Sequence, residues 1–206
     1  MFKQIFEIFK SDSLYEQALT ECHEMLEIVR EMFNESVTSL RNSDTAEIPV
    51  DIYAMDKKIN AFERDVRRKV MTHLAVGGKE DIGSGLILVS VVIDIERMGD
   101  YTKNIYDLAV QHPKKLAAGS FEDTLTDMEK TTKEFLNQAI DAFKQQDIES
   151  ARTLMTDYKK DISSISNEIV NTIVSGQNAE FSPDKAGALC LYARYLKRIA
   201  AHSRNL

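Results

Sequence analysis

The segment Ile95-Glu96-Arg97-Met98-Gly99-Asp100-Tyr101-Thr102-Lys103-Asn104-Ile105 recurs at the end of the chain as Leu196-Lys197-Arg198-Ile199-Ala200-Ala201-His202-Ser203-Arg204-Asn205-Leu206. A self-similar segment of this length makes the chain two copies of one helical unit. The copies differ in charge. The first carries Glu96 and Asp100 in the repeated helix, where the second has Lys197 and Ala201.

Winding residues 82–105 at roughly 100° per residue puts Ile82, Leu86, Val89, Val92 and Ile93 on one side of a helix. Glu96 and Asp100 fall on that side, with Asn104 one turn on. The reading is a core stripe that turns acidic midway. An ionised carboxylate in an apolar seam is costly unless it is paired, hydrogen-bonded or bound to a cation.

The rest of the chain reads as helix. Ser13 with Glu16 forms a capping box ahead of Leu14, Ala18, Cys22, Met25, Val29, Met32, Val37 and Leu40 at three- and four-residue steps. A connector with Pro49 leads to the stripe Ile52, Met55, Ile59, Phe62, Val66 and Val70, stopped by Gly77-Gly78. The helix of the repeated motif follows, running to Gln111 before Pro113. In the second copy Ser120 caps a helix through Phe121, Leu125, Met128, Phe135 and Ala139. Next comes a stripe of Ile148, Ala151, Tyr158, Ile162, Ile165, Ile169 and Ile173, ending at Gly176. Ser182-Pro183 then opens a helix with Leu189, Ala193, Leu196 and Ile199 inward. Short links make neighbours antiparallel, so the expected fold is all-α: two tandem three-helix bundles related by an internal repeat. The divisions are an amphipathic segment at 1–10, a first repeat at 11–111, a linker at 112–119 and a second repeat at 120–206.

Composition excludes several functions. With 33 acidic against 26 basic side chains the net charge is −7, and no basic run suggests a nucleic-acid partner. The most apolar run, Ile82 to Ile93, is interrupted by Gly83, Ser84, Gly85 and Ser90, so no spanning segment is expected, nor a secretory signal. Cys22 and Cys190 lack CxxC spacing and read as reduced core thiols, consistent with a cytoplasmic location. The amphipathic start, residues 1–10, reads as a short helix packing on its own bundle or a second subunit, or docking on a partner or membrane surface. His202 reads as an ordinary helix histidine without a carboxylate partner. No nucleophile with a base, phosphate-cradling loop or dinucleotide fingerprint is present, so catalysis is not expected.

The residues that could carry chemistry are carboxylates. Asp56 and Glu63 lie two turns apart at the margin of the second stripe, with Asn60 further round, and antiparallel packing would bring them opposite Glu96 and Asp100. Such an oxygen-rich set suits a hard or borderline cation: iron, manganese, magnesium or calcium. The alternatives are ion pairs with Arg97, Lys103, Arg64, Arg67 or Lys69, or a solvated groove. Ferritin-like Glu-x-x-His pairs are missing, since Thr20, Val70, Ala109 and Ile199 stand three positions before the four histidines.

Glu96-Arg97-Met98-Gly99-Asp100 followed by Asn104-Ile105 resembles the E-R-I-G-D-x-x-x-N-I signature of the PhoU family of bacterial phosphate-signalling proteins. Asp56-x-x-Ile59-Asn60-x-x-Glu63 resembles that family's second-helix pattern. The resemblance implies tandem three-helix bundles, carboxylate motifs able to bind metal clusters, and a regulatory role. It implies action with a membrane phosphate transporter of the ABC type and its sensor histidine kinase, hence peripheral membrane association through partners, and a homo-oligomer. The amphipathic start is similar to PhoU-like domains attached to sodium–phosphate cotransporters, which makes such a transporter the other expected partner. Lys197 and Ala201 depart from the acidic pattern, and the match around Asp157 and Asp161 is loose. A metal-carboxylate enzyme or storage protein, and a helical scaffold with ion-paired acids, stand as the alternative functions.

Overall fold

A computed structural model describes the backbone of residues 2–77, 82–112, 114–157, 162–177 and 181–206, and the side chains of these except at 2–13, 77 and 154–157. The described chain is helical, without a strand: α1 (Phe2–Asn42), α2 (Ile52–Gly77), α3 (Ile82–Gln111), a 3-10 turn (Gly119–Phe121), α4 (Glu122–Gln145), α5 (Ile148–Asp157), α6 (Ile162–Val174) and α7 (Pro183–Ser203). α1, α2 and α3 form one bundle, and α4, α5, α6 and α7 the other. α3 packs on α7 and α1 on α4, so the two bundles share one apolar core.

The predicted stripes of α1, α2, α4 and α7 are the core. Ala18, Cys22, Met25, Val29, Met32 and Leu40 are buried, as are Ile59, Val66 and Val70 opposite them. Each fully buried aliphatic side chain stabilises the fold by about 1.5–3 kcal/mol. Ser182 and Pro183 open α7 as expected, whereas α1 starts at Phe2 and runs through Ser13 instead of starting there. Apolar spacing alone does not reveal a helix that continues beyond its capping signal. Gly119, not Ser120, begins the turn that leads into α4, and the backbone N–H of Ala118 donates to Glu122 Oε2 at 2.6 Å. Tyr158, Asp161 and Pro113 lie outside the described residues.

The α3 stripe needs correcting. Ile82, Leu86 and Ile93 are exposed, and the buried face is Gly85, Leu88, Val91, Val92, Ile95, Met98, Gly99, Thr102, Ile105 and Ala109. The helix is apolar on nearly all sides in its first half, so periodicity there cannot choose a face. Glycine chooses it. A Cβ on Gly85 would stand 2.9 Å from Leu74, and one on Gly99 would stand 2.8 Å from Ile59, so α2 approaches α3 along the glycine side. Ile148, read as inward, is exposed, and Cys190 is only half-buried while Cys22 is fully enclosed, with burial pushing its thiol up to about 12.

The linker between the repeats is part of the packing. Leu116 and Ala118 are buried, Leu116 N–H donates to the Leu40 carbonyl at 2.8 Å, and Lys115 N–H donates to Asp44 Oδ1 at 3.1 Å. Among the described residues no helix is long and apolar enough to cross a membrane.

Candidate functional site

The glycine-side approach of α2 and α3 runs antiparallel, with Ile59 against Gly99, and brings the four expected carboxylates into one neighbourhood. Asp56, on α2, is nearly buried, and Asn60 Nδ2 donates to its Oδ2 at 3.2 Å and to its carbonyl at 3.0 Å. From α3, Lys103 Nζ donates to Asp56 Oδ1 at 3.0 Å and to Asp100 Oδ1 at 3.2 Å. Burial works against this ammonium, but its hydrogen bonds and charge contacts with Asp56 and Asp100 outweigh that and raise its pKa. Arg97 stands over the other side, 3.4 Å from Asp100 Oδ2 and 3.6 Å from Glu96 Oε2. Glu63 is paired within its own helix with Arg67, at 2.8 Å.

Because the stripe is rotated from its expected position, Glu96 and Asp100 border a groove instead of sitting in the seam, with side chains 19% and 28% exposed. Burial still raises the Glu96 carboxyl above its ordinary value. The charge of Asp100 adds to this, Arg97 opposes it, and Glu63 and Asp56 add smaller contributions in the same direction as Asp100. The four acids therefore feel one another, and the cation shared by Asp56 and Asp100 is the Lys103 ammonium. Among the described residues no three His, Cys, Asp or Glu side chains are grouped so that they could hold a metal ion. Any such grouping would require these rotamers to turn inward and Lys103 to leave. Of the other expected bases, Lys69 is engaged elsewhere, 2.5 Å from Glu21 and 2.9 Å from Asp65.

The equivalent place in the second repeat has the opposite sign. Lys197 Nζ donates to Asn167 Oδ1 on α6 at 3.0 Å, and Arg194 Nη1 reaches the same oxygen at 3.4 Å. Where α2 and α3 set acids together, α6 and α7 set bases around a neutral amide.

Two inter-repeat networks escaped the sequence reading. His202, expected to lack a carboxylate partner, places Nδ1 2.7 Å from Asp94 Oδ1, stacks on Tyr101 and places Nε2 3.2 Å from Arg198 Nη2. Arg198 Nε also donates to the Tyr101 hydroxyl at 3.1 Å. The only available signal was that Tyr101 and His202 occupy matching positions of the repeat. The second network centres on Arg41, which pairs with Glu122 and lies 2.7 Å from Glu129 beside the fully buried Tyr192. Burial raises the pKa of Glu129, while Arg41 opposes that effect.

A family model described as the PhoU domain matches residues 22–109 and again 125–206. The phosphate-specific transport system accessory protein PhoU homolog of Aquifex aeolicus (strain VF5) is 25% identical over 134 residues, 64% of this chain and 60% of that protein, so the match spans less than two thirds of the relative. The crystal structure of PhoU from Pseudomonas aeruginosa matches with a TM-score of 0.79 at 20% identity, covering 94% of this chain and 93% of that one. PhoU from Streptococcus pneumoniae, described as a phosphate transport system regulatory protein, matches with a TM-score of 0.77 at 20% identity, covering 95% and 92%. At such identity the two structures bear on the fold, which is the tandem helical arrangement expected from the repeat.

Proposed function

The chain belongs to the PhoU family, and from that premise we propose that it is a non-enzymatic accessory regulator of a phosphate transport system. The observation that carries this reading is the recurrence of the family's domain in both halves of the chain. The name of the Aquifex relative, an accessory protein of phosphate-specific transport, supplies the system. The proposed partners are a membrane phosphate transporter, of the ABC type or a sodium–phosphate cotransporter, and a sensor histidine kinase. The protein would act from the cytoplasm as a homo-oligomer and reach the membrane through those partners. Exposed Ile82, Leu86 and Ile93 on α3, with Met71 and Val76 on α2, provide apolar surface for such contacts. Crosslinking in intact cells followed by purification of the tagged chain tests the reading. Recovery of phosphate-transporter subunits supports it, and their absence from a crosslinked, transporter-expressing membrane fraction contradicts it.

A second reading concerns the acidic groove. Burial of Glu96, with the added repulsion of Asp100, Glu63 and Asp56, favours a cation there. Glu96, Asp100, Asp56 and Glu63 would be its ligands, with an all-oxygen donor set suited to iron or another hard divalent or trivalent ion. Bound there, the ion would supply charge neutralisation in place of the Lys103 ammonium.

A further inference from the structure

The three basic residues Arg194, Lys197 and Arg198 occupy positions i, i+3 and i+4 of α7 and so share one helix face. In the first repeat the matching positions are Ile93, Glu96 and Arg97, so the second repeat has gained two cations and lost one anion at this place. Like charges at this spacing repel one another. Among the described residues, none of the three has a carboxylate ion-pair partner. Arg194 and Lys197 instead share one neutral acceptor, Asn167 Oδ1, at 3.4 Å and 3.0 Å. Desolvation, with the charges of Arg194 and Arg198, holds the half-buried Lys197 ammonium below the usual lysine range. The acidic groove of the first repeat differs in this respect, because Lys103, Arg97 and Arg67 compensate it from within the chain.

We propose that the basic cluster where α7 meets α6, formed by Arg194, Lys197 and Asn167 with Arg198 at its edge, binds a small tetrahedral oxyanion of the phosphate class. An ammonium carries three donors and a guanidinium five, so after bonding to Asn167 each cation keeps N–H groups for a ligand. The guanidinium fork fits two oxygens of an oxyanion and the ammonium serves as a point charge beside it. Arg198 is held in place by Tyr101 and His202, so its charge is fixed at the cluster's edge while its donors are partly used. The inference rests on the charge inversion between the repeats and stands whether or not the chain regulates a transporter.

The test is calorimetric titration of the full chain with inorganic phosphate, and separately with sulfate, at ionic strength held constant with sodium chloride. The expected result is saturable binding at one site, weakened about tenfold or more by Lys197→Met or by Arg194→Gln, the loss of one charge-assisted hydrogen bond. Arg67→Gln, in the first repeat, should leave the affinity unchanged. Arg194 is exposed, so its variant keeps the fold, and circular dichroism of each variant checks this. The proposal is overturned if the wild-type chain binds neither anion saturably, or if folded Lys197→Met and Arg194→Gln bind as the wild type does. Binding of a phosphoserine peptide without binding of free phosphate would also overturn it.

Discussion

His202 Nδ1 lies 2.7 Å from Asp94 Oδ1, joining the last turns of the second repeat to the middle of α3 in the first. The same carboxylate oxygen accepts from Asn205 Nδ2 at 3.0 Å. Asp94→Ala removes the acceptor that both side chains share and leaves His202 Nδ1 without its carboxylate at the seam between the bundles. Denaturant unfolding should show a loss of about 1–3 kcal/mol. An unchanged midpoint and slope would mean that the Asp94 contacts add nothing to the packing between the bundles.

Arg41 makes the stronger prediction because its side chain is only 8% exposed. Its Nε lies 2.7 Å from Glu129 Oε1 as an ion contact, without an aligned hydrogen bond, and Glu122 holds a terminal nitrogen. Arg41→Met leaves Glu129 buried and unpaired, at a cost of about 3 kcal/mol or more. Since the Arg41 charge is what restrains the Glu129 pKa, the variant should regain part of the loss as pH falls and Glu129 protonates. Equal losses at neutral and acid pH would contradict this account.

The acids and bases of the site show how far sequence reaches. Asp56, Glu63, Glu96 and Asp100 were legible as one group because the antiparallel order of α2 and α3 follows from a short link and two helical stripes. Which way they face was not legible. In α3 the residues Ile82, Leu86 and Ile87 are as apolar as Leu88 and Val91, and only the approach of Leu74 and Ile59 over Gly85 and Gly99 selects the buried side. Those contacts are tertiary, as are Asp94 with His202 and Arg41 with Glu129, and their partners lie too far apart in sequence for a local pattern to join them.

Glu96 supplies a pH prediction whose sign is opposite to that of a salt-bridged carboxylate. Its carboxyl titrates above its ordinary value of 4.5 in the folded chain, so the native state binds the proton more tightly than the unfolded state does. The stabilisation is fully present below the ordinary value and is lost as pH rises through the raised one. Glu96→Gln should therefore be more stable than wild type near pH 7, by less than about 1 kcal/mol for a group this solvated. The difference should vanish in strong acid. Thermal unfolding across pH measures it, and a variant less stable at neutral pH in metal-free buffer would reverse the assignment.

The cation reading of the acidic groove is tested by metal content after purification without chelator. If Glu96, Asp100, Asp56 and Glu63 are ligands, the metal is lost in Glu96→Ala/Asp100→Ala. It should bind more tightly in Lys103→Met, where the competing ammonium is gone, and be unaffected by changes at Lys197 and Ala201. Equal metal in wild type and the double variant would refute the site. Metal-free wild type grown with ample iron would leave Lys103 as the groove's cation.

Phosphate uptake by cells lacking this chain, compared with cells carrying it and with the deletion complemented by the wild-type gene, tests the central claim most directly. The account predicts that deletion changes the uptake rate or the induction of phosphate-starvation genes, and that complementation restores both. Uptake and expression unchanged in phosphate-rich and phosphate-poor medium alike would contradict it.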